Sequence, residues 1–344
     1  MFMGKGWRGP IFALAALLSA QAAPAQRPHH PHRAAAAHRG PHPALWLLED
    51  GDTRIYLFGT IHILPHGFRW RSPRFDAIAR SADELVLEVA NGGAPETMAA
   101  ALAELRLGKT APILWRVSPD RRQALQDLVD ELGLPIERFD GFQTWAAAMG
   151  LAAAAIVRGL SAQHGGGDGH DGEGGGARGD EGGGARDGKG AAPRPSIGEL
   201  PGVEAPLEAE FRASHRPVSG VETATQQMRF FSVLSFAEQR QLLESIVDAY
   251  RAGTVDSVGG GGDIGQAAWA RGNVAVMAST TRDLPGPLYD VLLRRRNATW
   301  TEWLIHRLER PGTLLFAVGA AHLAGPDSVR AMLAARGFRV RRIQ

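Results

Sequence analysis

The chain has 344 residues, no cysteine, 44% hydrophobic and 22% charged residues, and a formal net charge of +2 with a pI near 9.3. That composition is globular, and the missing cysteines exclude disulfides, thiolate catalysis, cysteine-ligated zinc and cysteine-held iron–sulfur clusters. The pI suggests nucleic acid until the charge is located: residues 1–25 carry Lys5 and Arg8 and no acid, so the remainder balances at 36 basic and 36 acidic residues and no nucleic-acid partner is expected.

Residues 1–25 read as a signal peptide. Lys5 and Arg8 precede an apolar run at 11–20, and Ala23-Pro24-Ala25 offers a small-residue cleavage site near Ala25. The run is too short to span a bilayer, so a periplasmic or secreted protein without a stable membrane span after cleavage is expected. Residues 26–43, with His29, His30, His32, His38 and His42 among prolines and arginines, read as a disordered tether.

From residue 44 onward a single domain is expected. The apolar run 55–58, flanked by Gly51-Asp52, reads as a buried strand, 73–81 as a helix and 84–89 (ELVLEV) as a second buried strand. The apolar stretch 146–157 reads as a buried helix. Residues 161–195 cannot bury enough surface to offset chain entropy and read as a flexible Gly-rich insertion. Residues 236–250 form an amphipathic pattern with Leu242, Leu243, Ile246 and Val247 on the apolar side, which core packing explains. Arg296 and Asn297 fall ahead of a helix containing Trp300, Trp303 and Leu304. A strand at 313–318, a helix at 326–336 closed by Gly337 and a strand at 338–343 complete the chain.

Several apparent motifs fail on context. Gly260-x-Gly262-x-x-Gly265 has dinucleotide spacing but lies in a glycine run with no strand before it, and Gly108-Lys109-Thr110 lacks the first P-loop glycine, Ala103 standing there. Neither G-x-S-x-G nor H-E-x-x-H occurs, which excludes a nucleophile elbow and a zincin helix.

One plan occurs twice: strand, G-x-x-H, helix, strand, with Gly59 and His62 in the first copy and Gly319 and His322 in the second. A strand that returns through a helix generally runs parallel to its predecessor. Both histidines then lie beyond the carboxyl ends of strands, where α/β sheets gather ligand groups. Glu88 ends its strand at the same level, and a carboxylate in so apolar a strand calls for a partner or a metal. Two imidazoles and a carboxylate form a ligand set used by catalytic divalent metals. The competing reading has each histidine capping a turn and Glu88 paired with an arginine. His66, four residues after His62 but beyond Pro65, reads as rim or loop.

These residues resemble the TraB/GumN family, which is related to the TIKI metalloproteases. The resemblance rests on the segments around Gly59-Thr60-Ile61-His62, Glu88, Gly220-Val221-Glu222-Thr223, Arg296-Asn297 with Trp300, and Val318-Gly319-Ala320-Ala321-His322-Leu323. It implies an α/β fold with a mixed central sheet and a helical middle section. It implies a divalent metal (Mn, Co or Zn) on His62, Glu88 and His322, and metal-dependent hydrolysis of peptide or amide bonds. Glu88 is alternatively a general base, Arg296 and Asn297 are catalytic candidates, and Gly59, Gly319 and Glu222 are supporting residues. Arg296 would meet a substrate carboxylate or an oxyanion; Glu222 would orient a histidine or simply open a helix. Relatives often carry an aspartate near Gly202-Val203-Glu204-Ala205. The expected substrate is a peptide or small molecule. The alternative function is a non-catalytic cell-envelope binding protein holding a peptide, glycan or haem in the same cleft.

Overall fold

A computed structural model describes residues 40–62, 64, 67–90, 111–164, 202–254, 263–281, 284 and 286–344. The leader, most of the tether, His66, Gly108-Lys109-Thr110, Gly260 and Gly262 and nearly all of the 161–195 insertion lie outside the described residues.

Six strands form one mixed sheet in the order β4-β3-β5-β2-β1-β6. They are β1 (Leu45–Glu49), β2 (Thr53–Thr60), β3 (Glu84–Val89), β4 (Val218–Glu222), β5 (Gly312–Gly319) and β6 (Val340–Arg342). β4, β3, β5 and β2 run parallel, whereas β1 is antiparallel to both β2 and β6. The alternation of side chains divides the central strands between two cores. Phe58, Leu85, Leu87, Leu315 and Ala317 face one side; Ile55, Leu57, Val86, Leu314, Phe316 and Val318 face the other. With both faces covered, the strands read as continuous apolar runs.

The two echoed units occupy the centre of this sheet. β2 leads through α1 (Pro73–Ser81) to β3, and β5 leads through a C-terminal helix, Val329–Ala335, to β6. Each unit returns in the same direction, as expected, but neither closes on its own neighbour. β5 lies between β2 and β3, while β2 and β1 lie between β5 and β6. The crossovers therefore leave the adjacent pair β2/β5 in opposite directions, and α1 and the C-terminal helix join opposite cores. Such a reversal opens a crevice at the carboxyl ends of the two strands.

The predicted helices shift at their starts. Residues 326–328 precede the last helix, whose Ser328 side chain accepts the Ala331 N–H as its N-cap. The middle of the chain builds a third core, made of helices. Helix α2 (Arg122–Glu131) and α3 (Thr144–His164) pack with α4 of that core (Phe236–Arg251), where Leu242, Leu243, Ile246 and Val247 are all buried, as their spacing predicts. Trp145 stacks on Phe231 at 4.9 Å between ring centroids within it. Among the described residues no helix is long and apolar enough to cross a membrane.

Candidate functional site

Four strand ends supply the site. His62 follows β2 by two residues, Glu88 is the penultimate residue of β3, Glu222 is the last residue of β4, and His322 lies in a 3-10 turn, Ala320–Leu323, directly after β5. A helix from the opposite core, α5 (Arg295–Leu308), brings Arg296, Asn297 and Trp300 beneath them. The expectation that Arg296 and Asn297 fall ahead of the helix is corrected here. Residues 286–308 are helical throughout, with a π-type turn at Asp290–Arg294, and Arg296 is only 2% exposed.

Arg296 is the hub. Its Nη2 donates to Glu88 Oε2 at 2.6 Å and to Glu222 Oε2 at 2.8 Å, and its Nε donates to Glu222 Oε1 at 3.0 Å. Nη1 donates to the Leu292 carbonyl at 3.1 Å and lies 3.1 Å from His322 Nε2. All five guanidinium N–H groups thus have partners inside the protein. The expectation that Arg296 meets a substrate carboxylate or oxyanion is not met by this arrangement. Burial disfavours its charge, but Glu88 and Glu222 more than offset that and hold the guanidinium above its usual range.

Glu88 is correspondingly fixed. Oε1 accepts the Gly319 N–H at 2.8 Å, and Oε2 also accepts Gln227 Nε2 at 3.1 Å. Burial would raise its carboxyl, but Arg296, His322, His62 and the Gly319 N–H together hold it well below the usual carboxylate range. Gly319 explains its own identity here: a Cβ would stand 2.9 Å from Glu88 Oε1. At Gly59 a Cβ would meet Ala320 at 3.0 Å. Both G-x-x-H glycines therefore permit close approach of protein to protein, and neither has a positive φ.

Glu222 is not a helix-opening residue. It closes β4, and Thr223 caps the following helix, Ala224–Ser232, through a capping box with Gln226. Its carboxylate accepts Trp300 Nε1 at 2.9 Å and Gln227 Nε2 at 3.2 Å besides Arg296. It supports Arg296 rather than a histidine.

His322 has a defined tautomer. Asn297 Nδ2 donates to the Asp327 carbonyl at 2.7 Å, so its Oδ1 faces His322 Nδ1 at 2.6 Å, and Nδ1 must carry the proton. The Nε2 lone pair then accepts from Arg296. Burial first, and the Arg296 charge second, push the imidazole down to about 3, so it is neutral. Asn297, 1% exposed, is thus a positioning group.

His62 is the open member. Its side chain is 17% exposed, and Nδ1 lies 2.8 Å from Glu204 Oε1. Burial opposes its charge, but Glu204 and Glu88 outweigh burial and raise the imidazole to about 9; the same ion pair holds Glu204 below its usual range. Sequence reading left the role of Glu204 open, because no local pattern links it to His62. The tertiary link is a short docking: Val203 N–H donates to the Ile61 carbonyl at 3.0 Å, and a Cβ on Gly202 would overlap the His62 carbonyl.

Among the described residues no three His, Asp or Glu side chains already converge as a metal cage. The donor set nevertheless suits a divalent ion in type and charge. Three carboxylates (Glu88, Glu204, Glu222) face one guanidinium, a surplus of negative charge that His62 meets by taking a proton. Thr60 Oγ1 is also buried without a hydrogen-bond partner, and Glu204 Oε1 has His62 Nδ1 alone within ion-pair distance. His62, Glu88 and His322 would hold the ion, the last on releasing Arg296 Nη1.

The model of the TraB/PrgY/gumN family matches residues 44–170 and 188–342. The uncharacterized protein YbaP of Escherichia coli (strain K12) is 24% identical over 307 residues, covering 87% of this chain and 96% of the relative. YbaP of Shigella flexneri matches to the same extent. No solved structure matches the chain.

Proposed function

The chain belongs to the TraB/PrgY/gumN family, and from that premise we propose that it is an extracytoplasmic, metal-dependent hydrolase of peptide or amide bonds. The observation that carries this reading is that separate strand ends bring Glu88 and His322 within 3.6 Å of each other and His62 near enough for the Glu88 charge to act on it, with His62 and Glu204 the partly exposed members of the cluster. A divalent ion, when bound, supplies a water whose pKa falls to about 7 and which is therefore a nucleophile near neutrality.

The chain's own residues prepare the place. Asn297 keeps the His322 proton on Nδ1 and so leaves Nε2 as a lone pair. Arg296 keeps Glu88 ionised, and Glu222, gripped by Trp300 and Gln227, keeps Arg296 in place. Phe58, Trp70 and Phe75 pack together behind β2 and exclude water from that side. Glu204 holds a proton on His62 Nδ1 at the mouth.

A cell-envelope binding protein is the second reading, favoured by how completely the cluster satisfies itself: Glu88, Arg296, Asn297 and His322 are each at most 6% exposed. A peptide-library cleavage assay with added Mn²⁺, Co²⁺ or Zn²⁺, alongside metal analysis, separates the two. Metal-dependent cleavage that disappears in His62→Ala and Glu88→Gln supports the hydrolase. No cleavage with any metal, together with haem or peptide capture, overturns it.

A further inference from the structure

We propose that Glu204 is the positioning residue for His62: its carboxylate faces Nδ1–H and so turns Nε2, across the ring, toward the ligand. The role goes one step beyond the hydrolase reading and rests on it only for what that ligand is. Three observations carry it. Glu204 Oε1 stands 2.8 Å from His62 Nδ1, at a site where both side chains are mostly enclosed. The carboxylate is delivered by a rigid device rather than a loose surface side chain. Glu204 opens the helix Glu204–Ala213, whose Leu207 and Phe211 are fully buried in the core under β3. Just ahead of it, Val203 is fully buried and hydrogen-bonded to Ile61, and Gly202 packs directly on the His62 carbonyl. The third observation is what the ring lacks. His62 Nε2 has no hydrogen-bond partner within the described protein, whereas both nitrogens of His322 are engaged.

The two histidines are therefore oriented by different means. His322 Nδ1 donates to a neutral amide deep in the cluster, and its Nε2 is taken by Arg296. His62 Nδ1 faces a carboxylate at a partly exposed position, and its Nε2 has no partner among the described residues. A carboxylate behind a ligating imidazole fixes the ring orientation and raises the basicity of the distal nitrogen, and losing such a partner typically costs about 10- to 100-fold in metal affinity.

The experiment uses the full chain and three variants, Glu204→Gln, Glu204→Asp and Asn273→Ala, the last a helix cap remote in role from the site. Two measurements are made. The first is the far-downfield proton resonance of the His62 Nδ1–H in metal-free protein, assigned by its loss in His62→Gln. The second is calorimetric titration with Zn²⁺ alone. The resonance is expected in the parent, Glu204→Asp and Asn273→Ala, and is expected to vanish or move upfield in Glu204→Gln. Zinc binding is expected to weaken about 10- to 100-fold in Glu204→Gln and to recover in Glu204→Asp. An unchanged Nδ1–H resonance in a folded Glu204→Gln variant overturns the proposal, whatever the metal result. A parent that shows the resonance yet binds no zinc leaves the positioning intact and counts against the hydrolase reading instead. If Glu204→Gln fails to fold, Glu204→Asp still decides, because a parent-like fold without the resonance also overturns it.

Discussion

At the scale of single residues, the site is a chain of charges in which each member is intelligible only through its partners. Arg296 lies at 2% exposure between two carboxylates, and removing it leaves two buried charges uncompensated. Arg296→Met is therefore expected to cost about 3–5 kcal/mol, read as a shift of the urea midpoint. A cost under about 1 kcal/mol would mean that water reaches Glu88 and Glu222. His62 gives a pH signature in the metal-free protein. Its folded pKa, about 9, lies above the ordinary 6.5, so the stability it contributes is complete below pH 6.5 and is lost as the pH rises through 9. The gap between the parent and His62→Gln should be widest at pH 6 and shrink by pH 10, by about 3 kcal/mol at most. Urea titrations at the two pH values check this; a gap independent of pH would remove the ion pair with Glu204 from the account.

At the scale of elements, the strand ends work because backbones come unusually close there. Gly202 lies against His62, Gly319 against Glu88, and Gly220 against Ala90 and Glu222, each at a separation that leaves no room for a Cβ. Gly202→Ala must push the Glu204 helix away from β2, at a cost of about 1–3 kcal/mol typical of overpacking, with loss of the His62–Glu204 contact as well. Thermal unfolding, with the His62 Nδ1–H resonance beside it, tests the pair of effects; a melting point within a degree of the parent would mean that the helix shifts freely. The elements themselves were unequally legible. β2, β3 and β5 are buried on both faces, so their apolar runs stand out, and the helix at Pro73–Ser81 announces itself by proline at its first position. β4, an edge strand of composition VSGVE with mostly exposed or half-buried side chains, carries no such run. The beginning of α5 was misplaced because three consecutive arginines, Arg294, Arg295 and Arg296, give no local sign of burial, while the burial of the last one depends on Glu88 and Glu222.

At the scale of the whole molecule, the sheet places the echoed units side by side and sends their connections to opposite faces, which is why two motifs far apart in sequence face one crevice. Their register is offset by one: Thr60, not Gly59, pairs with Gly319. His62 is the more exposed of the two imidazoles, its side chain 17% exposed against 2% for His322. The family match omits residues 171–187, which marks them as additional to the shared domain. Replacing that stretch by a short Gly/Ser linker is expected to change stability by no more than about 0.6 kcal/mol, since loop-closure entropy varies slowly with length. The melting temperature checks this, and a drop of several degrees would assign the stretch a contact with the domain.

The sequence by itself determined the α/β class, the paired G-x-x-H strand ends, Glu88 as a carboxylate in need of a partner, and the family. Each of these is a local signal: an apolar run, a spacing, or a charge where apolar residues prevail. Only the tertiary structure decided who the partners are. Glu88 and Glu222 share Arg296, Asn297 sets the proton of His322, and Glu204 stands behind His62. Hydrogen bonds and ion pairs act over about 3 Å in space with no fixed spacing along the chain, so they become visible only once the strands have brought distant residues to one edge of the sheet.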